Sequence, residues 1–142
     1  MRPIALVGSH PDKVSCKKTA VLYFAFACFS APRAPGEHVI KKHRYSGFFG
    51  TDLDIILREW GVDTVIISGT TTENCCHATA RDAMLRNYRV VFLSDATATY
   101  DYPDRGFGAM SNADVHHAML VILADSTAHV MSVTDMNARI RT

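Results

Sequence analysis

The chain lacks a charge imbalance, because its 15 lysines and arginines face 14 aspartates and glutamates over 142 residues. A chain with nearly balanced charge shows no sign of the strongly basic surface that binds nucleic acid or an anionic membrane. The sequence has no internal repeat, no low-complexity tract and no apolar run long enough to cross a bilayer as a helix. We therefore expect one domain over residues 1–142, with an atypical segment at 1–30 and no nucleic-acid or membrane partner.

The four cysteines lack the spacing of a zinc site or a disulfide framework. The sequence contains no CxxC, and adjacent Cys75 and Cys76 make a poor disulfide pair. No two of the seven histidines stand four residues apart, the spacing that places two ligands on one helix face. These absences predict a reduced, cytoplasmic protein that uses neither a metal nor another cofactor.

Residues 64–83 are the stretch around which the chain is organised. The apolar, β-branched run 65–67 predicts a buried strand, Gly69 interrupts it, and a helical pattern begins near Cys75. Proteins of the α/β class place their chemistry beyond the carboxyl end of such a strand. A cysteine in the first helical turn meets unpaired N–H groups and the positive end of the helix dipole, which favour thiolate. Cys75 is therefore the candidate nucleophile, and Cys76, turned about 100° around the helix, is expected to pack.

Apolar runs alternate with amphipathic segments along the chain. They predict strands near 19–26, 38–41, 64–68, 89–93 and 129–133, with helices starting near Thr51, Cys75 and Ser111 and a short polar tail at the end. Residues 2–8 are compatible with a further short strand. This alternation predicts an α/β fold, a three-layer αβα sandwich with a mainly parallel sheet.

Residues 19–30 support two interpretations. The basic pair at 17–18, a short apolar core and small residues resemble a signal peptide. The aromatic and β-branched residues instead favour a buried central strand, which is the interpretation that we prefer.

Four segments of the sequence resemble the isochorismatase-like cysteine hydrolases, the superfamily of nicotinamidases, N-carbamoylsarcosine amidase and ureidoacrylate amidohydrolases. The segments are 42–53, 69–75, 79–83 and 94–96. The resemblance implies a Rossmann-like fold and hydrolysis of a small amide or ureido compound through a thioester on Cys75. The alternative is an inactive homologue that acts as an oligomeric scaffold or a ligand-binding protein.

The resemblance also implies roles for other residues. Lys42 matches the catalytic lysine, the Thr70–Thr71 bond matches a non-proline cis peptide, and the backbone N–H groups of Thr71 and Cys75 match an oxyanion hole. Independently of the resemblance, aromatic residues are expected to wall a pocket rimmed by residues 97–108, although aromatic residues in loops more often only anchor those loops. These aromatic residues are Tyr45, Phe48, Phe49, Tyr100 and Tyr102.

The sequence departs from the family at one catalytic position. The aspartate expected at the end of the first confident strand is replaced by Ala25, and Asp12 and Asp95 are the other carboxylates that we considered. The segment between that strand and Lys42 is much shorter than in the family, which implies a reduced N-terminal part. A sheet that has lost a strand and a helix exposes apolar surface, so we expect a homo-oligomer.

Overall fold

The computed structural model describes residues 4–9, 18–25 and 38–140. These residues form six strands, four α-helices and one π-helical turn. The strands are β1 (Ile4–Ser9), β2 (Lys18–Ala25), β3 (His38–Lys41), β4 (Val62–Thr70), β5 (Arg89–Ala98) and β6 (His129–Met131). The helices are α1 (Leu53–Glu59), α2 (His77–Leu85), α3 (Asn112–Ser126) and α4 (Val133–Ile140), and the π-helical turn is Thr72–Cys76.

The six strands form one sheet in the order β3-β1-β2-β4-β5-β6. The β2–β4, β4–β5 and β5–β6 pairs are parallel, whereas β1 is antiparallel to both β2 and β3. Helices in the β4–β5 and β5–β6 connections make the crossovers that parallel neighbours require. The mainly parallel sheet with flanking helices confirms the predicted αβα sandwich.

The apolar segment that begins at Thr19 is a strand. Residues 18–24 of β2 pair with β4 in parallel register, and residues 26–30 lie outside the described part of the chain. Within the described residues, no helix combines the length and the apolar character needed to cross a membrane.

The end of the chain differs from its predicted form. β6 ends at Met131, and a helix, α4, replaces the expected polar tail. Ser132 Oγ accepts a hydrogen bond from the Asp135 N–H at 3.0 Å, which caps the helix. The apolar residues before Ser132 favour a strand, so the sequence did not predict that a helix begins here.

The core centres on β4, whose two faces are both covered. Val65, Ile66 and Ile67 are between 0 and 3% exposed. In β2, neighbouring residues on opposite faces of the sheet differ in exposure. Leu22 is fully buried, whereas Val21 is 42% exposed. The sheet is therefore covered on both faces at β4 and incompletely covered at β2.

Candidate active site

The turn after β4 carries the candidate nucleophile. The Thr70–Thr71 peptide bond is cis, and residues 72–76 then form the π-helical turn that leads into α2. We call residues 71–76 the Cys75 turn. The hydroxyl of Thr72, the first residue of the π-helical turn, lies 2.9 Å from His116 Nδ1 and does not cap the helix. Single π-helical turns of this kind occur often at functional sites.

Lys42 and Cys75 are in direct contact. Lys42 Nζ donates a hydrogen bond to Cys75 Sγ at 3.2 Å, and the two residues are 0 and 2% exposed. The ammonium also donates to the carbonyl oxygens of Arg44 and Tyr45, at 3.0 Å each. A buried ammonium is costly unless it is hydrogen-bonded, so these acceptors fix its place. A cation at this distance stabilises a thiolate.

Two side chains of α2 hold the loop that carries Lys42, which we call the Lys42 loop (residues 42–51). Thr79 Oγ1 accepts from the Gly47 N–H at 2.9 Å and donates to the Cys75 carbonyl at 2.7 Å. Asp82 Oδ2 accepts a short hydrogen bond from the Ser46 hydroxyl. No sequence pattern indicated a role for Thr79 or Asp82; the only signal was their presence in a segment that resembles the family.

A hydrogen-bonded triangle joins the Cys75 turn to the loop after β5. The Tyr102 hydroxyl donates to Glu73 Oε1 at 2.6 Å. Asn74 Nδ2 donates to the same oxygen at 2.7 Å and lies 3.2 Å from the Tyr102 hydroxyl. Asn74 Nδ2 also reaches Thr71 Oγ1 at 3.1 Å, so the triangle extends to the residue after the cis bond. No sequence pattern indicated Glu73 or Asn74 as residues of the site.

The surroundings of Glu73 favour its ionised form. Burial by itself raises the pKa of this carboxyl, but the hydroxyl groups of Thr99 and Tyr102 outweigh it and hold the pKa below its ordinary value of 4.5. Glu73 Oε2 and Thr99 Oγ1 are both buried, and neither atom has a hydrogen-bond partner at ordinary geometry among the described residues. The nearby Thr99 hydroxyl therefore lowers the pKa of Glu73 without a well-formed bond to it. Burial, and then the bond to Glu73, raise the pKa of the Tyr102 phenol, which keeps it a donor.

Cys76 lies in the core, which confirms the expectation that it packs. It is fully buried, and its Sγ lies 3.8 Å from the Ser68 carbonyl oxygen. Burial first, and then the neighbouring Cys75, raise the pKa of the Cys76 thiol. The two adjacent cysteines therefore differ in their partners, an ammonium for Cys75 and a carbonyl in the apolar core for Cys76.

The aromatic residues predicted to wall a pocket lie in different surroundings. Phe48 is buried in the core at 4% exposure, whereas Tyr45 and Phe49 are each 62% exposed. The ring of Tyr100 stacks on that of Tyr102, with 4.9 Å between their centroids. Of the five, Tyr102 is the one whose side chain bonds directly to the Cys75 turn in the described structure.

The residues expected to form an oxyanion hole stand at the two ends of one closed turn. The Cys76 N–H donates to the Thr71 carbonyl at 3.2 Å, which closes the turn between Thr71 and Cys75. Thr71 itself is extended and 5% exposed. Two N–H groups presented by a rigid turn are the usual components of an oxyanion site.

Ala25, the residue that the resemblance places at the family's aspartate position, is the last residue of β2. Phe24 of β2 pairs with Gly69 of β4, so Ala25 reaches the edge of the sheet where β4 enters the Cys75 turn. Asp95 instead accepts the Val133 N–H at 2.8 Å, at the start of α4. Asp12 lies outside the described residues. In the described ranges, no group of three or more His, Cys, Asp or Glu side chains is arranged to hold a metal ion.

Comparison with known proteins identifies the family. An isochorismatase domain matches residues 29–135, and the chain belongs to the isochorismatase family. Ureidoacrylate amidohydrolase RutB of Methylorubrum extorquens is 40% identical over 80 residues, which are 56% of this chain and 32% of that protein. Nicotinamidase 3 of Arabidopsis thaliana is 36% identical over 95 residues, which are 67% of this chain and 42% of that protein.

Solved structures of isochorismatase-family proteins are also similar to the chain. A cysteine hydrolase from Pseudomonas syringae pv. phaseolicola is 45% identical, with a TM-score of 0.75, and the match covers 78% of this chain and 52% of that one. The chain therefore spans between about a third and a half of the length of these relatives.

Proposed function

We propose that the protein is a cysteine-dependent hydrolase of a small amide or ureido compound, with Cys75 as nucleophile and Lys42 as its cationic partner. The observation that carries the proposal is the 3.2 Å contact between Lys42 Nζ and Cys75 Sγ, both buried beside the cis peptide. The names of two relatives, an ureidoacrylate amidohydrolase and a nicotinamidase, support a small substrate with a C–N bond.

The proposed reaction has two halves. The Cys75 sulfur attacks the substrate carbonyl carbon, and the carbonyl oxygen takes negative charge that the N–H groups of Thr71 and Cys75 bind. The C–N bond then breaks, the nitrogen leaves with the proton that ionisation of the Cys75 thiol released, and a thioester remains on Cys75. Water attacks the thioester, which releases the acid and restores the thiol.

Protonation of the leaving nitrogen is the step that Ala25 weakens, because alanine offers no acid where the family places an aspartate. We therefore expect slow turnover, limited by departure of the amine. The same observation favours the second candidate function, an oligomeric scaffold or ligand-binding protein without turnover.

The proposal includes a setting for the enzyme. Cys75 and Cys76 are free thiols, which suits a reducing cytoplasm. The exposed face of β2 at Val21 supports a homo-oligomer. The proposed chemistry requires no cofactor.

Two measurements test this function. Iodoacetamide near neutral pH is expected to modify Cys75 fast and Cys76 slowly, as measured by mass spectrometry. Ammonia release from nicotinamide and from small N-carbamoyl compounds is expected to be slow in the wild type and absent in Cys75→Ser. Cys76→Ala is the matched control and keeps the wild-type rate. Equal alkylation of both cysteines, or ammonia release that survives Cys75→Ser, would contradict the proposal.

A further inference from the structure

Tyr102 connects two parts of the chain that have no sequence proximity. Its hydroxyl bonds Glu73, two residues before Cys75, while its backbone belongs to the loop that follows β5. We call residues 99–110 the Tyr102 loop. We infer that Glu73 is a positioning residue, whose carboxylate holds the Tyr102 loop against the Cys75 turn. The inference rests on the proposed function only because the site that it positions is the proposed one.

The geometry assigns the phenol proton of the triangle. A phenol has one proton, and Tyr102 directs it to Glu73 Oε1 at 2.6 Å. The Tyr102 oxygen then has lone pairs free to accept from the Asn74 amide, which lies 3.2 Å away. Glu73 Oε1 accepts from both neighbours, which is the role of an ionised carboxylate. A neutral amide in place of Glu73 would present one acceptor oxygen and no charge, so the bonds would weaken.

The Tyr102 loop is a preformed unit. Tyr102 and Met110 exchange two backbone hydrogen bonds, at 2.9 and 3.0 Å, which close its base. Asp104 Oδ1 accepts from the N–H groups of Gly106 and Gly108, at 2.7 and 2.9 Å, and folds its tip. The loop therefore keeps its own shape, and the bond to Glu73 determines how firmly it is held on the Cys75 turn.

The loop contains a natural reporter of this attachment. Arg105 is exposed at the tip of the Tyr102 loop, two residues before Phe107, which is 100% exposed. Trypsin cleaves after arginine only where the backbone can leave its folded shape. Cleavage after Arg105 therefore reports loss of the loop's folded shape, which we expect to be more frequent once the bond to Glu73 no longer holds the loop. The measurement requires no substrate of the enzyme.

The first test is limited trypsin digestion of the full chain. Glu73→Gln and Tyr102→Phe are each expected to speed cleavage after Arg105 by about tenfold, the order expected for loss of a hydrogen bond to a charged group. The double variant is expected to be no faster than either single variant, because both remove the same interaction. Tyr88→Phe is the matched control, since the Tyr88 hydroxyl donates to Asp54 Oδ1 at 2.8 Å on another part of the surface. It should leave cleavage after Arg105 unchanged.

The second test separates positioning from a general loss of structure by its pH profile. Hydrogen exchange of the loop amides, corrected for intrinsic rates, is expected to rise in the wild type as pH falls and Glu73 becomes protonated. In Glu73→Gln the exchange should be fast and free of this step. Asp104→Asn is the control, because Asp104 titrates within the same loop, and it should keep the step.

Either test can overturn the inference. The inference is wrong if both Glu73→Gln and Tyr102→Phe are cleaved after Arg105 at the wild-type rate. It is also wrong if Tyr88→Phe speeds this cleavage as much as they do. A pH step that survives in Glu73→Gln would also overturn it. Failure of these tests leaves the proposed hydrolysis intact, since Cys75 alkylation and ammonia release are measured separately.

Discussion

Thr79 Oγ1 donates to the Cys75 carbonyl oxygen at 2.7 Å while it accepts from the backbone of the Lys42 loop. One hydroxyl on α2 thus fixes both the residue that carries the sulfur and the loop that carries the ammonium. The short bond between Ser46 and Asp82 adds a second attachment for the loop. The distance between Lys42 and Cys75 is therefore set by a third element, α2, and not by the two residues alone.

Thr79→Val tests this arrangement. Valine keeps the shape of the side chain but leaves a buried N–H and a carbonyl without their partner, so we expect a loss of about 1–3 kcal/mol in the free energy of unfolding. The looser Lys42 loop should also slow Cys75 alkylation at fixed pH. Urea denaturation and iodoacetamide kinetics measure the two effects. Thr64→Val is the control, because the Thr64 hydroxyl donates to the carboxylate of its chain neighbour Asp63 at 2.6 Å. Unchanged alkylation in Thr79→Val would show that the loop does not depend on this hydroxyl.

Lys42→Ala tests the ammonium itself. Removal of the cation beside Cys75 Sγ withdraws its stabilisation of the thiolate, so alkylation at fixed neutral pH should slow by at least about tenfold. Iodoacetamide kinetics on the folded protein measure this rate. Lys41→Ala is the matched control, because Lys41 is exposed at the end of β3, and it should alkylate like the wild type. A wild-type rate in Lys42→Ala would remove the electrostatic basis of the site.

Ala25→Asp tests the missing acid. The register of β2 with β4 brings residue 25 to the edge of the sheet beside the Cys75 turn. A general acid contributes about 10²–10⁴-fold in favourable geometry, and we expect at least about tenfold faster ammonia release. The double variant Ala25→Asp, Cys75→Ser should release none. An Ala25→Asp protein that folds and shows no gain would favour the scaffold function.

Val21→Lys tests the oligomer. Val21 lies on the incompletely covered face of β2 and is 42% exposed. If that face is an interface, the wild type should be a dimer or larger in light scattering at micromolar concentration, and the lysine should shift it towards monomer. Ile55→Lys is the control, because Ile55 is 67% exposed on α1. A monomeric wild type would refute this prediction.

Local sequence patterns, together with the resemblance, predicted most of the fold and the central pair of the site, Lys42 and Cys75. A β-branched run, a glycine and an alanine-rich helix identify β4 and α2 within one stretch, and the resemblance supplied Lys42. The supports of the site could not be predicted this way, because they join residues far apart in sequence. Glu73 and Tyr102 are 29 positions apart, and Gly47 and Thr79 are 32 apart. No periodicity encodes such a pair, and only the packed structure brings its members together.

Two local features also escaped prediction. The π-helical turn replaces the expected start of an α-helix at Cys75, since its closing bond runs from the Cys76 N–H back to the Thr71 carbonyl. Helix propensity does not distinguish the two forms. The helix α4 was hidden because the apolar residues before Ser132 favour a strand, and the serine that caps the helix is a weak signal alone.

The adjacent cysteines give every molecule its own internal standard. Both lie in one peptide, residues 59–81, that trypsin releases from the unfolded chain. Both cysteines are buried, but Cys75 contacts the Lys42 ammonium whereas Cys76 lies against a carbonyl in the core. We therefore expect a reagent that labels Cys76 to report an opened molecule, and one that labels only Cys75 to report the intact site. The ratio of the two labels in a single peptide thus separates reactivity from unfolding, whatever the concentration, purity or stability of the variant.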